Sequence, residues 1–172
     1  FQRLKRSPNC LIAIYIVTFI DSLAYYAFSY ALIMHLGMEV GLPDSLSGIF
    51  YGIFGICISV SSLALGFLAD YMGIRNSICI SSAIGFLARL SMAYAVLGRA
   101  TWLSALLLFA LVAPSIALIG PPIPTAIKRY TSDDTRALAF TIYYGVMNIA
   151  AFVATPIVDM MRLQTSDEIL LL

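Results

Sequence analysis

The sequence predicts an all-α integral membrane protein, built as a bundle of five membrane-crossing helices. Three observations predict it. The chain of 172 residues is 61% hydrophobic and 11% charged, whereas soluble domains carry about 25% charged residues. A soluble fold of this length could not hide so much apolar surface. The apolar residues gather into five stretches of about 20 residues or more, the length a helix needs to cross a bilayer. Lys and Arg fall between those stretches and mostly on one side of them.

The spans are expected near 9–36, 45–69, 76–97, 102–127 and 137–161. The connections carry turn chemistry. Gly37 leads to Gly41-Leu-Pro43 and Asp44, Asp70 leads to Arg75, Gly98-Arg99 follows the third span, and Lys128 leads to Arg136. Strands are excluded, because no alternation is sustained and the runs are too long. Arg3, Lys5, Arg6, Arg75, Lys128, Arg129 and Arg136 fall on one side, and Arg99 and Arg162 on the other. The excess of basic residues puts the N-terminus, the 70–75 turn and the 128–136 loop in the cytoplasm. Residues 163–168 read as a non-cytoplasmic tail, and Ile169-Leu-Leu-Leu172 as the first turn of a sixth span. The chain opens on Phe with no signal-peptide pattern, so it reads as a portion of a longer protein.

Other classes are disfavoured. A net charge of +1 argues against nucleic acid as a partner. Cys10, Cys57 and Cys79 form no metal-ligand spacing and read as small buried residues. No Ser/His/Asp set, no facing Asp pair and no His-rich cluster is present, so an enzyme is not expected, nor a metal or cofactor. His35 lies at the outer end of the first span and reads as interfacial.

The helix faces carry the functional signal. Gly48, Gly52, Gly55, Ser59, Ser62 and Gly66 share one face of the second span. Small residues let another helix backbone approach, either as static packing or as a sliding surface. The first span has Thr18, Asp21, Ser22, Tyr25 and Ser29 along one side, with Tyr26 beside them, and the fifth has Thr141, Tyr144, Asn148 and Thr155. Asp21 and Asn148 lie about 16 Å into their spans, near the midplane, where transporter substrate sites sit. An ionisable residue there is costly, so it faces a cavity or a partner. Asp21 reads as a site residue or as a structural carboxyl, and Asn148 as a substrate contact or an interhelical hydrogen bond. Arg89 is the other deep charge. It could pair with Asp21, which would keep that carboxyl charged and weaken a proton-carrier role. It could also snorkel or anchor packing, the reading favoured here. Pro114 and Gly120-Pro-Pro-Ile-Pro124 predict a bent fourth span, as a fixed kink or as a hinge.

Between the second and third spans stands Gly66-Phe-Leu-Ala-Asp70-Tyr-Met-Gly73-Ile-Arg75. This spacing resembles the helix 2–3 loop of major facilitator superfamily transporters. Gly66, Asp70, Gly73 and Arg75 match, while Tyr71 and Ile74 stand where the family often has basic residues. The resemblance covers essentially the whole chain and implies the first five helices of an N-terminal six-helix half, with a C-terminal half elsewhere in the full protein. It implies that Asp70 and Arg75 latch the cytoplasmic side against that other half.

Within the superfamily the chain is most similar to the proton-coupled oligopeptide transporters. Thr18-Phe-Ile-Asp21-Ser22-Leu-Ala-Tyr25-Tyr26-Ala27 resembles their first helix, with Asp21 for a Glu and the two tyrosines matching. Arg136-Ala-Leu-Ala-Phe140-Thr-Ile-Tyr143-Tyr144-Gly-Val-Met-Asn148 resembles their fifth helix. The resemblance implies Tyr25, Tyr26 and Asn148 as substrate contacts. Thr18 and Ser22 stand in place of a Glu and an Arg, and Ile123-Pro124 in place of a fourth-helix Lys.

The expectation is a secondary transporter of a small solute, in which Asp21 binds a proton or a cationic group and Tyr25, Tyr26 and Tyr144 offer apolar faces with hydroxyl handles. Its partners are then the solute, protons, the lipid bilayer and the C-terminal half. The alternative is a non-transporting membrane subunit or receptor that keeps the scaffold.

Overall fold

Long apolar runs without water must satisfy their backbone internally, and helices do so. The computed structural model describes residues 8–38, 41–97, 103 and 106–170. Among the described residues five helices are long and apolar enough to cross a membrane. Helix α1 spans Pro8–Met38, α2 Asp44–Met72 and α3 Ile74–Leu97. The fourth span is segmented into a π turn at Leu108–Val112, α4 at Ala113–Ile119 and α5 at Pro122–Tyr130. Helix α6, Asp133–Leu170, is the fifth. Arg3, Lys5, Arg6, Gly98 and Arg99 lie outside the described residues.

The connections are tighter than the sequence suggests. The expected 70–75 turn is almost wholly helical, since α2 runs to Met72 and α3 begins at Ile74. Gly73 alone breaks the helix, at φ +78, a left-handed conformation that costs other residues about 1–2 kcal/mol. Likewise only Thr131 and Ser132 separate α5 from α6. Ser132 and Thr135 close that gap, with their hydroxyl oxygens 2.9 Å apart and the Thr135 N–H donating to Ser132 O at 3.2 Å. Asp133 and Asp134 then favour the positive end of α6. The expected tail at 163–168 is not a loop, because α6 continues unbroken to Leu170. No Gly or Pro after Pro156 ends it.

The fourth span breaks where proline removes donors. The Ala113 N–H reaches back five residues to Leu108 O. This wide turn sits directly before Pro114, whose ring would clash with a regular preceding turn. Gly120 and Pro121 separate α4 from α5. Thr125 there donates its hydroxyl to Pro121 O at 2.9 Å.

The chain forms two compact units, residues 1–39 with 130–172, and residues 40–129. In the first, α1 packs along α6. The Tyr15 hydroxyl donates to Ala139 O at 3.0 Å. Tyr15→Phe removes that bond and keeps the ring. We expect it to lower the unfolding free energy by about 1 kcal/mol, read from denaturant titration of the purified protein; an unchanged value would show the bond to be energetically neutral. In the second unit, α4 packs on α2 and α3, and the π turn packs on α3.

The glycines of the second span leave open space, and one expectation about faces is corrected. A Cβ built at Gly48, Gly52, Gly55 or Gly66 would meet nothing within 4 Å. The small-residue stripe is therefore not a close-packing seam among the described helices. The cysteines are not buried either: Cys79 is exposed, and Cys10 and Cys57 are half-buried. In a bilayer helix an apolar thiol is at ease facing lipid, so burial was not required.

Candidate functional site

Hydroxyls inside a span need acceptors, and most find them on their own helix. Thr18 donates to Ile14 O at 2.8 Å, Thr141 to Ala137 O at 3.1 Å and Thr155 to Ala151 O at 3.5 Å. Each reaches a carbonyl four residues back. These side chains are satisfied locally and need no cavity to explain them. Asp21 and the tyrosines are too long or too charged for that solution.

In the first unit, α1 and α6 bring the aromatic and acidic groups together. Thr18, Ser22 and Ser29 lie on the buried side of α1. Asp21, Tyr25 and Tyr26 flank that buried stripe, half-buried. The Tyr25 and Tyr26 rings meet edge-on, with centroids 5.2 Å apart. On α6, Tyr143 lies half-buried and meets Tyr144 edge-on at 5.1 Å and Phe140 at 6.3 Å. Asp21 and Tyr26 on α1 lie in electrostatic range of Tyr143. An aromatic pair on each helix, Tyr25–Tyr26 and Tyr143–Tyr144, thus stands in mid-span, with Asp21 one turn before Tyr25.

This arrangement shows how α1 and α6 run. Tyr15 meets Ala139, and further along both chains Asp21 and Tyr26 approach Tyr143. The two helices are therefore roughly parallel, as first and fifth spans must be if each span crosses the membrane.

Sequence reasoning named Tyr144 and missed Tyr143. Taking 100° per residue, Thr141, Tyr144, Asn148 and Thr155 lie about 100–160° round α6 from Tyr143. Tyr144 is 59% exposed, and Asn148 is also exposed. The fifth-span polar stripe therefore lies off the face that approaches α1. Tyr143 belongs instead with Ala139, Ala150 and Ala154, all buried. The signal was present, since Tyr143 lies four residues from Ala139 and seven from Ala150, the spacing of one helix face. Of the two deep charges, Asp21 belongs to the first unit and Arg89 to the second.

The helix 2–3 motif places two charges against the helix dipoles. Asp70 lies in the last turn of α2, and Arg75 is the second residue of α3. Helix C-termini are partially negative and N-termini partially positive, so each charge stands at the disfavoured end. Both are exposed. Among the described residues no group of three or more His, Cys, Asp or Glu could hold a metal.

The fold and the mid-span polar and aromatic side chains define a multi-pass helical membrane protein. The chain belongs to the Major Facilitator Superfamily, whose family model matches residues 14–161. It is accordingly a membrane transporter in the general sense of that family. Neither the curated proteins nor the solved structures give a match.

Proposed function

We propose that this chain is part of a secondary transporter that moves a small solute by alternating access, with proton symport through Asp21. The observation that carries the reading is the approach of Asp21 and Tyr26 to Tyr143 in mid-span, in a chain of a transporter family. Asp21 lies about 18 Å from the start of its span and Asn148 about 23 Å from the start of α6, at 1.5 Å per residue. Tyr25, Tyr26, Tyr143 and Tyr144 give the cavity apolar faces and hydroxyls. Asn148, exposed one turn beyond Tyr144, is a solute contact at the open edge.

Arg89, the other deep charge, has a structural role within the third span's own unit. Asp70 and Arg75 are latch charges toward the C-terminal half of the full protein. The N-terminus and the 128–136 loop are cytoplasmic by the basic-residue excess. The parallel run of α1 and α6 supports placing both of these on one side.

A test that needs no known solute uses Asn148→Cys in the full-length protein, with the native cysteines replaced. An impermeant maleimide is added from each side of sealed vesicles in turn. We expect labelling from both sides, because the cavity opens to each alternately. Labelling from one side only would rule out alternating access and favour a scaffold that has ceased to transport.

A further inference from the structure

Gly85 differs from every other described glycine. A Cβ built there would lie 2.9 Å from Arg89 Nη1, 3.2 Å from Ser115 Oγ and 3.5 Å from Ser115 Cβ. Elsewhere such a Cβ meets nothing within 4 Å or, at Gly120, carbonyls no nearer than 3.8 Å. Gly85 and Arg89 are one turn apart on α3. Helix side chains tilt toward the N-terminus, so Arg89 folds back over Gly85, and its guanidinium occupies the notch that the missing side chain leaves.

The other wall of the notch is Ser115 on α4, 3% exposed. Its hydroxyl donates to Val112 O at 2.7 Å. Val112 is fully buried and is the last residue of the π turn. Pro114, between Val112 and Ser115, has no N–H, so one carbonyl of that turn loses its backbone donor. In a span such a carbonyl must find another donor. A guanidinium carries five N–H donors and can serve more than one partner. Here it stands beside the residue that follows the proline.

We propose that Gly85, Arg89 and Ser115 form a buried polar seat that holds the π turn of the fourth span, with Arg89 as its positioning residue. The missing side chain at Gly85 admits the guanidinium. The guanidinium and the Ser115 hydroxyl together brace the turn that Pro114 disrupts. All the groups lie in the 40–129 unit.

The test is amide hydrogen exchange over residues 108–113 of the full-length protein in lipid nanodiscs. Arg89→Gln is expected to speed exchange there about tenfold, the effect of losing one charged hydrogen bond. Arg89→Lys keeps a charged donor and is expected to fall between Gln and the native residue. Gly85→Ala pushes the guanidinium from the notch and is expected to speed exchange to a similar degree. In the Arg89→Gln background the same change should add nothing further, because residues acting as one unit are not additive. Ser115→Ala, which introduces no clash, serves if Gly85→Ala does not fold, and should speed exchange too. Exchange within twofold of native in Arg89→Gln, full additivity of the two changes, or native exchange in Ser115→Ala would each overturn the seat.

Discussion

Asp21→Asn is expected to reduce pH-driven uptake by the reconstituted full-length protein to the rate of protein-free vesicles. The amide has nearly the shape of the carboxyl and keeps its hydrogen-bonding reach, but it cannot carry a proton or a negative charge. Asp21 stands one turn before the Tyr25–Tyr26 pair in the middle of α1, in electrostatic range of Tyr143, and no other acid is found between Asp21 and the end of that helix. Loss of uptake with retention of gradient-free exchange of the same solute would assign coupling to Asp21 and binding to the tyrosines. Unchanged pH-driven uptake would remove Asp21 from the coupling mechanism.

Asp70→Asn and Arg75→Gln are expected to change stability and function in opposite directions. Each native charge stands at the wrong pole of its helix, Asp70 in the last turn of α2 and Arg75 in the first of α3. Removing either should stabilise its helix end by roughly 0.3–1 kcal/mol at low salt. Thermal unfolding at low ionic strength should show this as an equal or raised midpoint. If the charges latch the cytoplasmic side, loss of a contact worth about 1 kcal/mol shifts the population about fivefold toward the inward-open form. Cytoplasmic labelling of the Asn148→Cys reporter should rise accordingly. A lowered midpoint with unchanged labelling would make both charges ordinary stabilisers of the turn.

Much of the fold was legible because membrane spans declare themselves by length and apolarity, and the Gly66-to-Arg75 spacing declared the superfamily. The turns were legible only in part. The sequence shows Gly73 among polar neighbours, but its single left-handed residue is all the break requires, so the helices extend into what reads as a loop. Residues 163–168 looked polar enough to leave the membrane, and do not leave the helix. For the site, residue type pointed to Asp21, Tyr25 and Tyr26. The choice between Tyr143 and Tyr144 depends on which side of α6 meets α1, a property of packing. Polar composition pointed to Tyr144 with Thr141 and Thr155, although those threonines bond their own helix. The glycines of α2 stood out in the sequence and leave room for a Cβ, whereas among the described glycines Gly85, less conspicuous in the sequence, is the one in a crowded place. Spacing shows which residues share a helix face, and it is silent on what that face meets.

Helix α6 has a mechanical consequence. It is 38 residues long, about 57 Å at 1.5 Å per residue, and it packs along α1 from the Tyr15–Ala139 bond to the fully buried Ala150 and Ala154. From that bond Asn148 stands about 13 Å along the rod and Pro156 about 26 Å. Pro156 interrupts the hydrogen-bond ladder just past the last of those buried alanines. The residues proposed to contact solute therefore ride on the arm clamped to α1, and any larger excursion of α6 falls beyond a compliant joint.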